Sequence, residues 1–243
     1  MMESMSKTSI VPRWSLALIL GLSFIACLML VLLRYSLTGR FSQGYLVWNL
    51  ILAAVPIGFA RLGEYGVARC KARRMAAVCG LSAFFFWLVF FPNAPYLFTD
   101  FIHVVRKANL GYVTADWLSP MDLLWYDIVM NSAFSFVGHY MGLVSVYIMH
   151  GAMMRLFGRC VGWALMLPAV LLSGFGIHLG RFSRLNSWDL ILNPFEAVSA
   201  IGSALAVPSA LLFSLVFAFF IGLTYLIFYI SKRGQVGEFD RRD

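Results

Sequence analysis

The chain has 243 residues, of which 61% are hydrophobic and only 12% charged, against roughly half apolar and a quarter charged for a soluble domain. This excludes a soluble globular protein, and no interval between the apolar runs is long enough for a soluble domain, so a single transmembrane domain over residues 1–243 is expected. The net charge of +8 does not point to nucleic acid, because the Lys and Arg residues sit in short patches between apolar runs, where membrane topology signals lie; the lipid bilayer is the expected partner.

A bilayer core of about 30 Å takes about 17 to 25 apolar residues per helix. Six segments fit: Trp14–Leu33, Tyr45–Ala60, Met75–Phe91, Leu123–Met149, Val161–Leu179 and Leu205–Ile230. Backbone polar groups in lipid must be satisfied within the segment, and no alternating strand pattern occurs, so the fold class is an all-α polytopic bundle. The first run exceeds the apolar core of a signal peptide, about 7 to 15 residues, and continues past the FIAC sequence at Cys27, so it is expected to be retained. Of the 19 Lys and Arg residues, 13 fall in the tails and the loops after the second and fourth spans, and 6 fall in the opposite loops. The positive-inside rule then places both termini in the cytoplasm. The four cysteines imply neither an outer disulfide nor a thiolate zinc site, since they lie in spans or on the cytoplasmic side without CxxC spacing.

After the third span comes FFPNAPYLFTDFIH, Phe90 to His103, which brings Asn93, Tyr96, Thr99, Asp100 and His103 to the outward side. Pro92 and Pro95 are expected to end the helix at the interface, with Asn93 capping the next turn and Tyr96 and Trp188 in the aromatic belt. The fourth span carries Asp122 and Asp127 at its start, then Asn131, Ser135 and His139 at four-residue intervals, a polar face that should look into the bundle. Past the fifth span lie His178, Arg181, Arg184, Asn186, Trp188 and Asp189, and then Asn193-Pro194 with Glu196, the signature of a short helix from Pro194 to about Ser203. The tail from Ser231 reads as a short charged end. Two GxxxG patterns, Gly138 to Gly142 and Gly176 to Gly180, would let helices approach closely.

These residues support three chemistries. Asp100 and His103, at i and i+3, could offer two ligands to a divalent metal completed by Asp127, His178 or Asp189, although no HExxH is present. Arg181 and Arg184 could hold the phosphate of a lipid headgroup or other substrate, with Asp127, His178 or Asp189 as catalytic groups. Alternatively the arginines pair with Asp100, Asp127 or Asp189 and lock the loops, because the outward side also carries Asp116, Asp122 and Glu196 and is nearly neutral. An enzyme or headgroup-binding protein, a transporter of a small polar solute and a structural or assembly subunit therefore stand as alternatives. Transport is less supported, since no internal repeat is visible and the third, fifth and sixth spans lack carboxylates. No nucleotide-binding motif occurs.

FPNAPYLFTDFIH, the WYD of Trp125 to Asp127, and GRFSRLNSWD of Gly180 to Asp189 resemble the hallmark motifs of a bacterial multi-pass membrane family catalogued as a domain of unknown function. The resemblance runs from about the second span to the loop before the sixth. It implies a helical membrane protein distinguished by these outward elements, and no activity.

Overall fold

The computed structural model describes the backbone of residues 13–112 and 117–239 and the side chains of residues 16–112 and 117–233. Lys7, Asp116, Arg241 and Arg242, and the side chain of Arg13, which enter the charge reading, lie outside these limits. Among the described residues there is no strand, and six helices are long and apolar enough to cross a membrane: Leu16–Thr38, Gly44–Arg69, Arg73–Leu110, Pro120–Phe157, Arg159–Ser183 and Pro208–Arg233. The chain is an all-α, multi-pass membrane protein.

In chain order the helices are α1 (Arg13–Thr38), α2 (Gly44–Arg69), α3 (Arg73–Phe90), α4 (Asn93–Tyr96), α5 (Phe101–Leu110), α6 (Pro120–Phe157), α7 (Arg159–His178), α8 (Asp189–Leu192), α9 (Pro194–Leu205) and α10 (Pro208–Phe239). Helix α6, at 38 residues, is about 57 Å long and exceeds the thickness of the bilayer core. Its start is fixed by a capping box, in which the Ser119 hydroxyl and the Asp122 carboxylate each accept from the other's backbone N–H. It ends at Gly158, whose φ of 89° permits the tight turn into α7.

The third helix ends just before the prolines, as expected, but the chain keeps helical dihedrals beyond them. Helix α3 ends at Phe90, but Pro92 has helical dihedrals (φ −55°, ψ −26°), and α4, a 3₁₀ turn over Leu97–Asp100 and α5 follow without a break. The prolines fall at the start of α4, where backbone N–H groups have no intrahelical partner to lose. This run lies antiparallel to α6 and packs into the bundle. Trp87 donates to Ser145 at 3.1 Å, the Ser135 hydroxyl donates to the Leu97 carbonyl at 2.9 Å, and Ala94, Leu97 and Asp100 are each no more than 1% exposed. The expected helix after Asn193 is present as α9, although the Asn193 side chain makes no capping bond. The tail after Ser231 does not leave the helix: α10 continues to Phe239.

Both GxxxG patterns close on this one run. A Cβ at Gly142 would sit 2.8 Å from the Ala94 methyl, and one at Gly138 would sit 3.1 Å from Leu97; on the other side, a Cβ at Gly176 would sit 2.7 Å from Pro92, and one at Gly180 would sit 3.2 Å from Tyr96. In lipid, helices gain little from burying apolar surface against each other, so close van der Waals packing of this kind is what holds them together. The expected polar face of α6 also points inward: Asp127, Asn131 and Ser135 are fully buried and His139 nearly so.

The α1–α2, α5–α6 and α7–α10 connections meet at one end of the bundle, here termed the Arg181 end. The α2–α3 and α6–α7 turns lie at the other, the Arg69 end.

Ala is the better helix former by about 1 kcal/mol, so Gly151→Ala, whose new methyl meets nothing within 4 Å, should leave stability unchanged or slightly higher. Gly142→Ala should lower it by about 1–3 kcal/mol through overpacking against Ala94. Thermal unfolding of the two variants in the same detergent tests the pair.

Candidate functional site

Two polar clusters form at the Arg181 end, each built around a buried carboxylate. In the first, Asp100 is held where the 3₁₀ turn meets α5. Its Oδ1 accepts from Arg181 Nη2 at 2.6 Å and its Oδ2 from Asn49 Nδ2 at 2.7 Å. Arg181 also donates from Nε and Nη2 to the Thr99 hydroxyl, at 3.0 and 2.6 Å, and its guanidinium lies 4.8 Å over the Tyr96 ring. His103 Nε2 is 4.0 Å from Asp100 Oδ1, and its ring is 4.5 Å, centroid to centroid, from Tyr45. The sequence-expected group Tyr96, Thr99, Asp100, His103 and Arg181 is therefore assembled.

Arg181 is positioned by a five-residue π turn, Leu179–Ser183, that continues α7. Such turns shift the register of a helix and recur at functional sites. At the following residue, Arg184, the backbone is left-handed (φ 56°, ψ 27°), and its N–H donates to the Leu179 carbonyl. A non-glycine residue held there costs about 1–2 kcal/mol. Past it, Asn93 ties the loop to the bundle: its Nδ2 donates to the Phe90 carbonyl and to the Ser187 hydroxyl, both at 2.9 Å, and Ser187 donates to the Val89 carbonyl. Asn93 is a cross-brace, not the expected helix cap. Asp189 does not meet the arginines; its Oδ2 accepts from the Asn186 backbone and side chain, closing the turn in which Trp188 begins α8.

Between these elements opens a cleft of about 500 Å³, lined by Tyr96, Ile102, His103, Arg106, Gly180, Arg181, Arg184 and Asn186. Three of these residues are arginines and none is acidic. Arg106 and Arg184 are exposed, and the side chain of neither makes a hydrogen bond or ion pair among the described residues.

The second cluster is centred on Asp127, which is fully buried in α6. Its partners are Arg34 of α1, with Nε at 2.7 Å from Oδ1, and Lys107 of α5, with Nζ at 3.7 Å from Oδ2. Tyr112 donates to Oδ2 at 3.2 Å and Gln43 to Oδ1 at 3.5 Å. Burial, with the carboxylate beside it, pushes the Tyr112 hydroxyl up to about 12. Asn131 Nδ2 donates to the Asp127 backbone carbonyl at 2.7 Å. Thus Asp127, expected beside Arg181 or Arg184, is paired with Arg34, a residue the charge count treats only as a topology signal.

His178, expected as a base or ligand, packs its ring against Phe182 and Phe213 at 4.6 and 5.6 Å. Asp100 and His103 adjoin, but among the described residues no three His, Cys, Asp or Glu side chains are grouped to hold a metal ion. Arg106, Asn49, Gln43 and Lys107 are the site residues that sequence reasoning missed. Asn49 in particular carries a readable signal, an amide inside an apolar span that needs a buried partner.

If Arg34 and Asp127 form a buried pair, Asp127→Asn, which strands two cations, should lower stability by about 3–5 kcal/mol. Arg34→Gln should cost less, since Lys107 remains to face the carboxylate, and the double variant should cost less than the two single losses added. Unfolding midpoints of the four proteins check this.

Comparison with curated proteins gives no match, nor does comparison with solved structures. Among protein families, one described as "Protein of unknown function (DUF1361)" matches residues 48–224, from α2 into α10, a range that includes both carboxylates and the whole cleft but leaves Arg34 outside. The chain belongs to this family.

Proposed function

We propose that the cleft at the Arg181 end binds the phosphate-bearing headgroup of an anionic lipid or related substrate, and that it faces outward in a bacterial inner membrane with both termini cytoplasmic. The observation that supports this is the lining of the cleft: three arginines without a carboxylate among them. Arg181 is a fixed wall, held by Asp100, Thr99 and Tyr96, while the side chains of Arg106 and Arg184 have no partner among the described residues and could close on an anion from two sides. Guanidinium groups recognise phosphate through paired, charge-assisted hydrogen bonds. Ile102 in the lining and Phe182 beside Arg181 are 53% and 62% exposed, which provides apolar surface next to the charged one, as an amphiphile requires.

Binding is better supported than catalysis. Of the groups considered as catalytic, Asp127 is occupied by Arg34, His178 by aromatic rings and Asp189 by its own turn. The group at the cleft suited to proton transfer is His103, next to Asp100. The reading as a structural subunit is favoured by one observation, the internal pairing of Asp100 and Asp127, but it leaves Arg106 and Arg184 without a role.

Titration of detergent-solubilised protein with phosphatidylglycerol, followed by native mass spectrometry, should show retention that is weaker for phosphatidylcholine and falls with added salt. Arg106→Gln and Arg184→Gln should each weaken it about tenfold, the loss of one charge-assisted contact, without loss of stability. Arg184→Gly is the sharper variant, because it removes the charge and the left-handed strain together and should bind less while unfolding at the same or a higher temperature. Undiminished retention in all three variants would overturn the reading. For orientation, a cysteine placed at Gly111 of an otherwise cysteine-free chain should react with an impermeant maleimide added outside intact cells, and one at Lys71 should not.

A further inference from the structure

At the Arg69 end, away from both buried carboxylate clusters, a second cleft of about 660 Å³ opens between α1, α2 and α6. Its lining includes Arg61, Glu64, Tyr65, Arg69 and Arg155, with Ala17 as the α1 wall. The cations are held in place by two devices. Glu64 accepts from Arg61 Nη1 at 2.8 Å through one oxygen and lies 3.9 Å from Arg155 Nη2 through the other, which aims arginines of two different helices into one space. The Arg69 guanidinium lies 5.0 Å over the Tyr65 ring, a cation–π contact that orients it without neutralising it. Among the described residues, three guanidinium groups line the cleft against one carboxylate.

We infer that this cleft is a binding site for a phosphate ester anion, and that its source is the headgroup of an anionic phospholipid. The chemistry is that of guanidinium and phosphate, as at the Arg181 end, but the site is built from different residues and stands without that reading. The lipid source is indicated by the surroundings of the charges: Leu18 of α1 and Leu62 of α2, each one position after a lining residue in the chain, are 55% and 63% exposed, so both helices carry exposed apolar surface within a turn of the basic pocket. Basic pockets between spanning helices are a recognised way to hold anionic headgroups.

The test is retention of phosphatidylglycerol by detergent-solubilised protein, measured by native mass spectrometry beside binding of glycerol 1-phosphate by calorimetry. Wild type should retain a lipid that Arg69→Gln and Arg155→Gln each release about tenfold more readily. Tyr65→Leu should have a smaller effect in the same direction. Lys71→Gln, an exposed charge at the same end but outside the cleft, should have none. Arg106→Gln with Arg184→Gln empties only the other cleft and must leave this lipid bound. Equal retention by wild type, Arg69→Gln and Arg155→Gln would overturn the site. A loss in Lys71→Gln as large as theirs would reduce it to general electrostatics and overturn it as well. Binding of glycerol 1-phosphate as tight as that of the lipid would overturn the lipid source.

Discussion

The constraint on which the rest of the bundle depends is the contact of Pro92, Ala94, Tyr96 and Leu97 with four glycines. Gly138 and Gly142 of α6 take Leu97 and Ala94, while Gly176 of α7 and Gly180 of the π turn after it take Pro92 and Tyr96. No residue with a Cβ could stand at Gly142 or Gly176 without movement of its neighbour, so the depth of the run in the bundle is set by van der Waals contact. That depth has a functional result. It delivers Thr99 and Asp100, one turn further on, to the place where the π turn of α7 presents Arg181.

A second consequence is electrostatic. Burying Asp100 and Asp127 would be prohibitive for isolated carboxylates, and each is matched by cations from elements far away in sequence, Arg181 for one and Arg34 with Lys107 for the other. Helix α5 links the two centres, since it begins beside Asp100 and its Lys107 reaches Asp127. The arginine beside Lys107, Arg106, turns to the cleft instead. Adjacent positions on one short helix thus serve a buried pair and an open site, and a helix that shifted to suit one would disturb the other.

Much of this was legible in the sequence for physical reasons. Six apolar runs of bilayer length could form only helices, and the four-residue spacing of Asp127, Asn131, Ser135 and His139 marked an inward face because lipid tolerates no other place for it. The two glycine patterns were visible, but not that both would close on a single run, since spacing reports that a surface is smooth and not what lies against it. The prolines marked the end of α3 but not that a new helix would start on them, because proline stops a helix in its interior yet is tolerated in a first turn. The partner of Asp127 was hidden by the usefulness of Arg34 as a topology signal: at the edge of a span, an arginine that anchors at the interface and one that turns inward to a carboxylate read the same.

That ambiguity matters for every basic residue of this chain, because the structure separates those that belong to the fold from those that do not. Arg34 and Arg181 each end in a buried carboxylate, and their charge is already used. The side chains of Arg106 and Arg184 are exposed and have no partner among the described residues, and Arg184 is kept in a left-handed conformation that glycine would adopt at no steric penalty. Folding alone gives no reason for an arginine there, since the position tolerates a residue that would relieve the strain. A role that requires a guanidinium at that spot does give one, and the neighbouring Arg106, Arg181 and Asn186 form the other walls of the same cleft.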